Sequence, residues 1–395
     1  MLSTKNFLIL VILGSFFFVI IKFYSFYTEY SGMQYADWLI NYQGGLVRRG
    51  LIGEVLFKFH KIFLIDLDLL IFIFVVLLYS IFTYYLLRSL KYIKSSYENL
   101  LIILSPGFFL YPVMNSQVVG RKEIFFISLF SSLIFLEKKI HQKLLLPIFI
   151  ISIVILSLSH SGFVFYVPYF LVLYFLIKSN RELIFNLLDF FIFIFVMVCL
   201  IFFIQFFNGT QLHIEKICES VSEFASKNCG QDDQISFLDN TIKNYFFEKF
   251  LDFKLLKNYL LIYTISIFFV FFFISLKLLD ATYTSKFYLF KKFNPFFVIC
   301  TLFIFTLPVY ILTLDWGRYI YISYSITFFL YIYCLKNKIL NFNYLNFFNR
   351  VKFNKISLII FVFFYSFFWT FPFYDAKNFK LVFEKPIKSI LKKIN

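Results

Sequence analysis

Residues 37–57 read DWLINYQGGLVRRGLIGEVLF. They lie between two apolar runs, 7–27 and 63–87, each long enough to cross a hydrocarbon core of about 30 Å. How this stretch is read decides the fold. Val47, Leu51, Ile52, Val55, Leu56 and Phe59 recur at helical spacing. Arg48, Arg49, Glu54 and Lys58 fall off that stripe. The pattern predicts an amphipathic helix lying in the membrane interface ahead of the second span. Gly44 and Gly45 precede it, and free N–H groups at a helix start can face an anion. Gly50 and Gly53 leave the backbone uncovered, which allows close approach of a ligand or a helix. Two readings of the arginine pair stay open. They snorkel to outer headgroups, or their planar forks bind the paired oxygens of a phosphate.

Composition sets the class. The chain of 395 residues is 61% hydrophobic and 15% charged, with mean hydropathy +0.81. A soluble domain carries about 25% charged residues, and a β-barrel would show short alternating segments. The expected fold is all-α: a polytopic transmembrane bundle of about 11 spans, forming one integral membrane domain over 1–395. The expected spans lie near 7–27, 63–87, 100–115, 123–136, 145–159, 163–178, 183–207, 259–277, 297–314, 319–335 and 356–373. Pro106 with Gly107, Pro168 and Pro308 interrupt three of them, and 100–136 and 145–178 read equally as broken or re-entrant helices. The net charge of +16 sits beside the spans, so it points to lipid headgroups and orientation and not to nucleic acid.

Lys and Arg concentrate in 88–99, 137–144, 178–182, 277–296 and 336–355. The positive-inside rule then puts the N-terminus in the cytoplasm and 208–258 outside, as the largest extracytoplasmic loop. The basic tail 374–395 is a contrary signal. Cys218 and Cys229 in that loop suit a disulfide in an oxidising compartment, or are two unrelated thiols. Cys199, Cys300 and Cys334 fall inside spans. No CxxC, metal-ligand cluster or dinucleotide fingerprint appears, so no metal and no cofactor is expected.

Four polar clusters interrupt this apolar chain: Asp37 to Glu54, NSQVVGRKE at 115–123, SHSG at 159–162 and DWGR at 315–318. On the expected topology all four lie on the outer face. Structural polar residues would scatter over both faces, so the convergence points to a wet site. Arg121 and Glu123 either close a loop as a pair or serve that site. His160 is a helix-break histidine or a proton carrier near neutral pH. Asp315 and Arg318 pair with each other or face a ligand. Trp316 fits an interfacial belt or a sugar ring.

DW…NYQGGLVRRGLIGE, followed by GRKE, a histidine after a span and a late DWGR, resembles bacterial O-antigen or capsule repeat-unit polymerases. These are multi-pass proteins near the membrane glycosyltransferases that use polyprenyl-linked donors. The loop 208–258 is modest beside the large loop many of them carry. The resemblance implies a metal-independent enzyme of the bacterial inner membrane, with its site facing the periplasm. It would join oligosaccharide units on a polyprenyl diphosphate, among membrane lipids and other polysaccharide-assembly proteins. Arg48 and Arg49 would clamp the diphosphate, assisted by Arg121 and Arg318, with Glu123 orienting an arginine. His160, Asp37 or Asp315 would take the acceptor proton. Two alternatives stay open: a single-sugar transferase using a polyprenyl-phosphate donor, and a flippase for lipid-linked sugars.

Overall fold

The computed structural model describes residues 4–28, 33–183, 186–225, 235, 238, 253–284, 292–342, 354–373 and 380–381. Its first helices are α1 (Thr4–Thr28), α2 (Met33–Leu39), α3 (Leu51–Phe63), α4 (Leu67–Ser89), α5 (Tyr97–Ile103), α6 (Tyr111–Met114), α7 (Glu123–Leu136) and α8 (Leu145–Ser159). A 3₁₀ turn at Ser161–Tyr166 leads into α9 (Val167–Asn180), then α10 (Leu187–Phe206), α11 (Gln211–Ser220) and α12 (Ser222–Ala225). After these come α13 (Phe253–Leu279), α14 (Pro295–Leu312), α15 (Trp316–Lys336) and α16 (Lys355–Phe367). Helices dominate because a backbone in hydrocarbon must satisfy its own polar groups. Two antiparallel strand pairs remain: β1 (Ala281–Tyr283) with β2 (Leu340–Phe342), and β3 (Trp369–Thr370) with β4 (Lys380–Leu381).

Among the described residues, seven helices are long and apolar enough to cross a membrane: α1, α4, α8 with the turn before it, the 161–180 segment containing α9, then α10, α13 and α14. The chain is therefore a multi-pass helical protein with fewer such helices than the eleven apolar stretches. The expected span 100–115 divides into α5 and α6, joined by turns that carry Pro106 and Gly107. The stretch 123–136 is a 14-residue helix and 319–335 lies within the 21-residue α15. Residues 356–373 stay helical only to Phe367 and then turn into β3.

α7 and α15 form the middle of the bundle. α15 is buried from Gly317 to Cys334, and its tyrosines, serines and Thr327 make it more polar than its neighbours. α7 runs parallel to α4: Phe125 meets Phe74, the Ser128 hydroxyl donates to the Leu78 carbonyl, and Phe135 stacks on Tyr85. At the far end of α7 and α15, Glu137 pairs with Arg181 and Lys336. Lys277–Glu98 and Lys178–Asp189 belong to the same end. The near end gathers the polar clusters.

The opening stretch departs from its expected geometry. Its helix begins at Leu51, so the arginines precede it and occupy the turn. The Gly45 N–H donates to the Tyr42 carbonyl and is not at a helix start. The apolar stripe also divides: Ile52 and Leu56 face the bundle, while Val55, Phe59, Ile62 and Phe63 are exposed. Glu54 is buried, accepting from the Tyr42 N–H at 2.9 Å and pairing with Lys58 at 3.4 Å. It staples the turn to its own helix. Gly53 permits the crossing, because a Cβ there would collide with the Ile40 carbonyl oxygen.

Candidate functional site

The 37–54 turn folds back into the bundle instead of lying over it. Trp38 packs edge-on against Phe74 at 5.6 Å, two turns into α4. That places it about 10 Å below the first residue of the helix. The Trp38 indole donates to the Gly120 carbonyl at 2.6 Å, seating the α2 segment on the loop before α7. The polar clusters meet at that depth.

Lys122 bridges the first two. Its ammonium is fully buried, 3.5 Å from an Asp37 carboxylate oxygen, and donates to the Arg49 carbonyl at 2.9 Å. Arg49 has φ of 72°, a left-handed backbone uncommon outside glycine. The bond from Lys122 holds that conformation, and the Arg49 guanidinium then reaches the Ser161 hydroxyl at 3.2 Å. Arg318, the first turn of α15, joins the other clusters. It pairs with Glu123, lies 3.3 Å from Asp315 and donates to the His160 Nε2 at 2.9 Å. Arg121 donates through Nε to the Gln117 carbonyl at 2.8 Å and packs over the Phe373 ring at 4.5 Å.

Asp37, Arg49, Arg121, Glu123, His160, Asp315 and Arg318 thus share one site, with Lys122 added. Arg48 does not. Its backbone N–H donates to the Phe207 carbonyl at 2.9 Å and its guanidinium points at the Leu238 carbonyl, 3.5 Å away. It anchors the turn to the end of α10. Trp316 is half-buried, with Tyr259, Tyr263 and Tyr310 around it at 5.4–5.7 Å. Cys218 is disulfide-bonded, while Cys229 lies outside the described residues. α11, which carries Cys218, reaches the site's end of the bundle through a Ser220–Asn41 hydrogen bond.

Four cations (Arg49, Arg121, Lys122, Arg318) face three carboxylates (Asp37, Glu123, Asp315), a net charge of +1. Burial pushes the Asp37 carboxyl up, but Lys122, Arg318, Arg49 and Arg121 together hold it below its usual range. It is ionised at neutral pH. Burial, followed by Arg318, Arg49, Lys122 and Arg121, drives His160 well below its usual value, so the ring is neutral. A neutral imidazole offers one lone pair. Two donors point at the ring: Arg318 at Nε2, and the Gly162 N–H at Nδ1, 3.2 Å away. The charge-assisted contact is the stronger, so the His160 lone pair is committed to Arg318. Asp315 is 30% exposed and tied to the same arginine. Of the three site carboxylates, Asp37 alone has no hydrogen bond to either oxygen among the described residues.

Two features suit an anion. Among the described residues, neither Arg49 nor Arg121 has a carboxylate within ion-pair distance, and Arg121 Nη1 is buried without a partner. The N-termini of α7 and α15, at Glu123 and Trp316, also open onto the site and bring their positive dipole ends. Among the described residues, no group of three or more His, Cys, Asp or Glu side chains is gathered as a metal would need.

Sequence reasoning passed over Lys122 and Phe373. Lys122 stands inside GRKE, between Arg121 and Glu123. Phe373 carried no signal, being one phenylalanine of 65. The site thus belongs to a multi-pass helical bundle with a recessed, cation-rich centre. No family model, curated protein or solved structure matches the chain, so its reading rests on this geometry.

Proposed function

We propose that the chain is a membrane glycosyltransferase that joins polyprenyl-diphosphate-linked oligosaccharide units, as a repeat-unit polymerase does. The observation that carries this is the recessed site of net charge +1, where, among the described residues, Arg49 and Arg121 have no carboxylate partner and the ionised Asp37 has unfilled acceptor capacity. In the reaction the bond between the donor sugar and its diphosphate breaks. Negative charge grows on the departing diphosphate, and fixed cations stabilise it. Arg49 and Arg121 take that role. Asp37 accepts the proton of the attacking hydroxyl, and a new glycosidic bond forms. Arg318, locked by Glu123, Asp315 and His160, supplies a positive charge that need not reorganise.

The far end, with Arg88, Arg181, Lys277 and Lys336, faces the cytoplasm, and the site faces outward. α7 and α15 cross with the seven apolar helices, since they run between the same two ends. The exposed Val55, Phe59, Ile62 and Phe63 of α3, beside the exposed Lys58 and Lys61, lie in the outer interface.

Arg49→Ala in the native host tests the reading, provided the variant is shown to insert. Loss of long polysaccharide chains with accumulation of single lipid-linked units is expected. A full-length ladder would remove Arg49 from the chemistry.

A further inference from the structure

The chain that follows α16 reaches the site. Phe371 stacks on Tyr111, with ring centres 4.4 Å apart and planes 13° from parallel. The Pro372 carbonyl accepts from the Tyr111 and Tyr263 hydroxyls at 3.4 and 3.3 Å. The Phe373 carbonyl accepts from the Gly317 N–H at 3.2 Å, in the first turn of α15. Gly317 is what admits this strap, because a Cβ there would collide with the Pro372 carbonyl and the Tyr111 hydroxyl. Phe373 is 1% exposed, and its ring meets the Arg121 guanidinium at 4.5 Å.

We propose that residues 369–373 form a wall of the anion site and that Phe373 is a positioning residue for Arg121; this rests on the reading above. A guanidinium can be held in two ways. A carboxylate holds it by consuming its N–H donors and its charge. An aromatic ring holds it by one face, leaving the edge and the charge for a ligand. Arg121 is held in the second way: Nε is fixed by Gln117, the guanidinium carbon lies 4.5 Å from the Phe373 ring centre, and among the described residues Nη1 has no partner. That is the arrangement a phosphate oxygen needs. The strap also enters from the end of the bundle that carries the site, so residues 369–373 share a membrane side with the donor diphosphate.

The test uses the full chain in lipid nanodiscs with farnesyl diphosphate as the probe. Phe373→Tyr and Phe373→Trp should bind within about twofold of the parent. Phe373→Leu, of similar bulk but without the π face, should bind about 3- to 30-fold more weakly. Arg121→Ala should also bind weakly, and adding Phe373→Leu to it should change nothing further, because the two act through one contact. If Arg121→Ala binds as tightly as the parent, the anion reading of Arg121 fails and the strap proposal with it. If Arg121→Ala is weak but Phe373→Leu matches the parent, or the two losses add, the strap proposal alone is overturned. Should Phe373→Leu not insert, hydrogen exchange on the parent decides. Farnesyl diphosphate should slow exchange in 317–320 and 369–373. Slowing confined to 49–54 overturns the proposal.

Discussion

Replacing Lys122 by Met isolates the residue that joins the first two polar clusters. The ammonium is fully buried, 3.5 Å from Asp37 and 2.9 Å from the Arg49 carbonyl. Methionine nearly matches its volume and removes only the charge and its donors. The Asp37 carboxylate, which has no hydrogen bond to either oxygen, would then also lose its ion pair. Stranding one partner of a buried ion pair costs about 3–5 kcal/mol. Arg318, Arg49 and Arg121 still act on Asp37, so we expect the lower end, about 3 kcal/mol. Lys122→Met/Asp37→Asn, which removes both charges, should recover at least about half of that loss. Asp37 also loses its strongest cation, so burial pushes its carboxyl upward, and Lys122→Met should be penalised less as the pH falls. Thermal unfolding of the detergent-solubilised full chain, followed by tryptophan fluorescence for the parent, both single variants and the double, measures the coupling. Strict additivity, with the double as unstable as the sum of the singles, would refute the claim that Lys122 exists to compensate Asp37.

Other consequences can be checked on the same preparation. Because His160 is held neutral well below its usual value, the unfolded chain binds a proton that the folded one refuses. Its contribution to stability is therefore complete above about pH 6.5 and lost progressively as pH falls below it. His160→Gln should flatten that acid limb in a melting series from pH 7.5 to 5. Gly53→Ala would drive a methyl group into the Ile40 carbonyl, and a loss of about 1–3 kcal/mol or failure to insert is expected. Cys218→Ser should lower thermal stability by about 2–5 kcal/mol, and reductant should do the same to the parent but not to the variant. Arg48→Ala should lower the melting temperature yet leave farnesyl diphosphate affinity within about twofold, since among the described residues its guanidinium meets the Leu238 carbonyl and none of the site side chains.

The legible part of this protein was its contrast. Polar residues in an apolar chain are few, so DWLINY, GRKE, SHSG and DWGR stand out, and the fold gathers them at one depth. Hydropathy equally read the long, lipid-facing α1, α4, α10 and α13. The 319–335 stretch is the core of α15, whose tyrosines and serines face other helices, and 100–115 takes the broken form, with Pro106 and Gly107 in the turns between α5 and α6. Arg48 and Arg49 could not be separated by pattern. They are neighbours of one chemical type, and what distinguishes them is the left-handed backbone at Arg49 and a main-chain bond between Arg48 and Phe207. Periodicity also set the α3 start too early, because Val47 is buried by the returning chain and not by a helix face. The strap was invisible for a further reason: its contacts run through carbonyl oxygens, which every residue carries.

The most direct test of the account is turnover by the purified chain in nanodiscs supplied with a polyprenyl-diphosphate-linked oligosaccharide. We expect a doubled oligosaccharide together with one released polyprenyl diphosphate for each bond made. Asp37→Asn and Arg49→Ala should bring both products down together by at least about 100-fold. A parent protein that binds the substrate but yields neither product, or an Asp37→Asn variant that turns over normally, would contradict it.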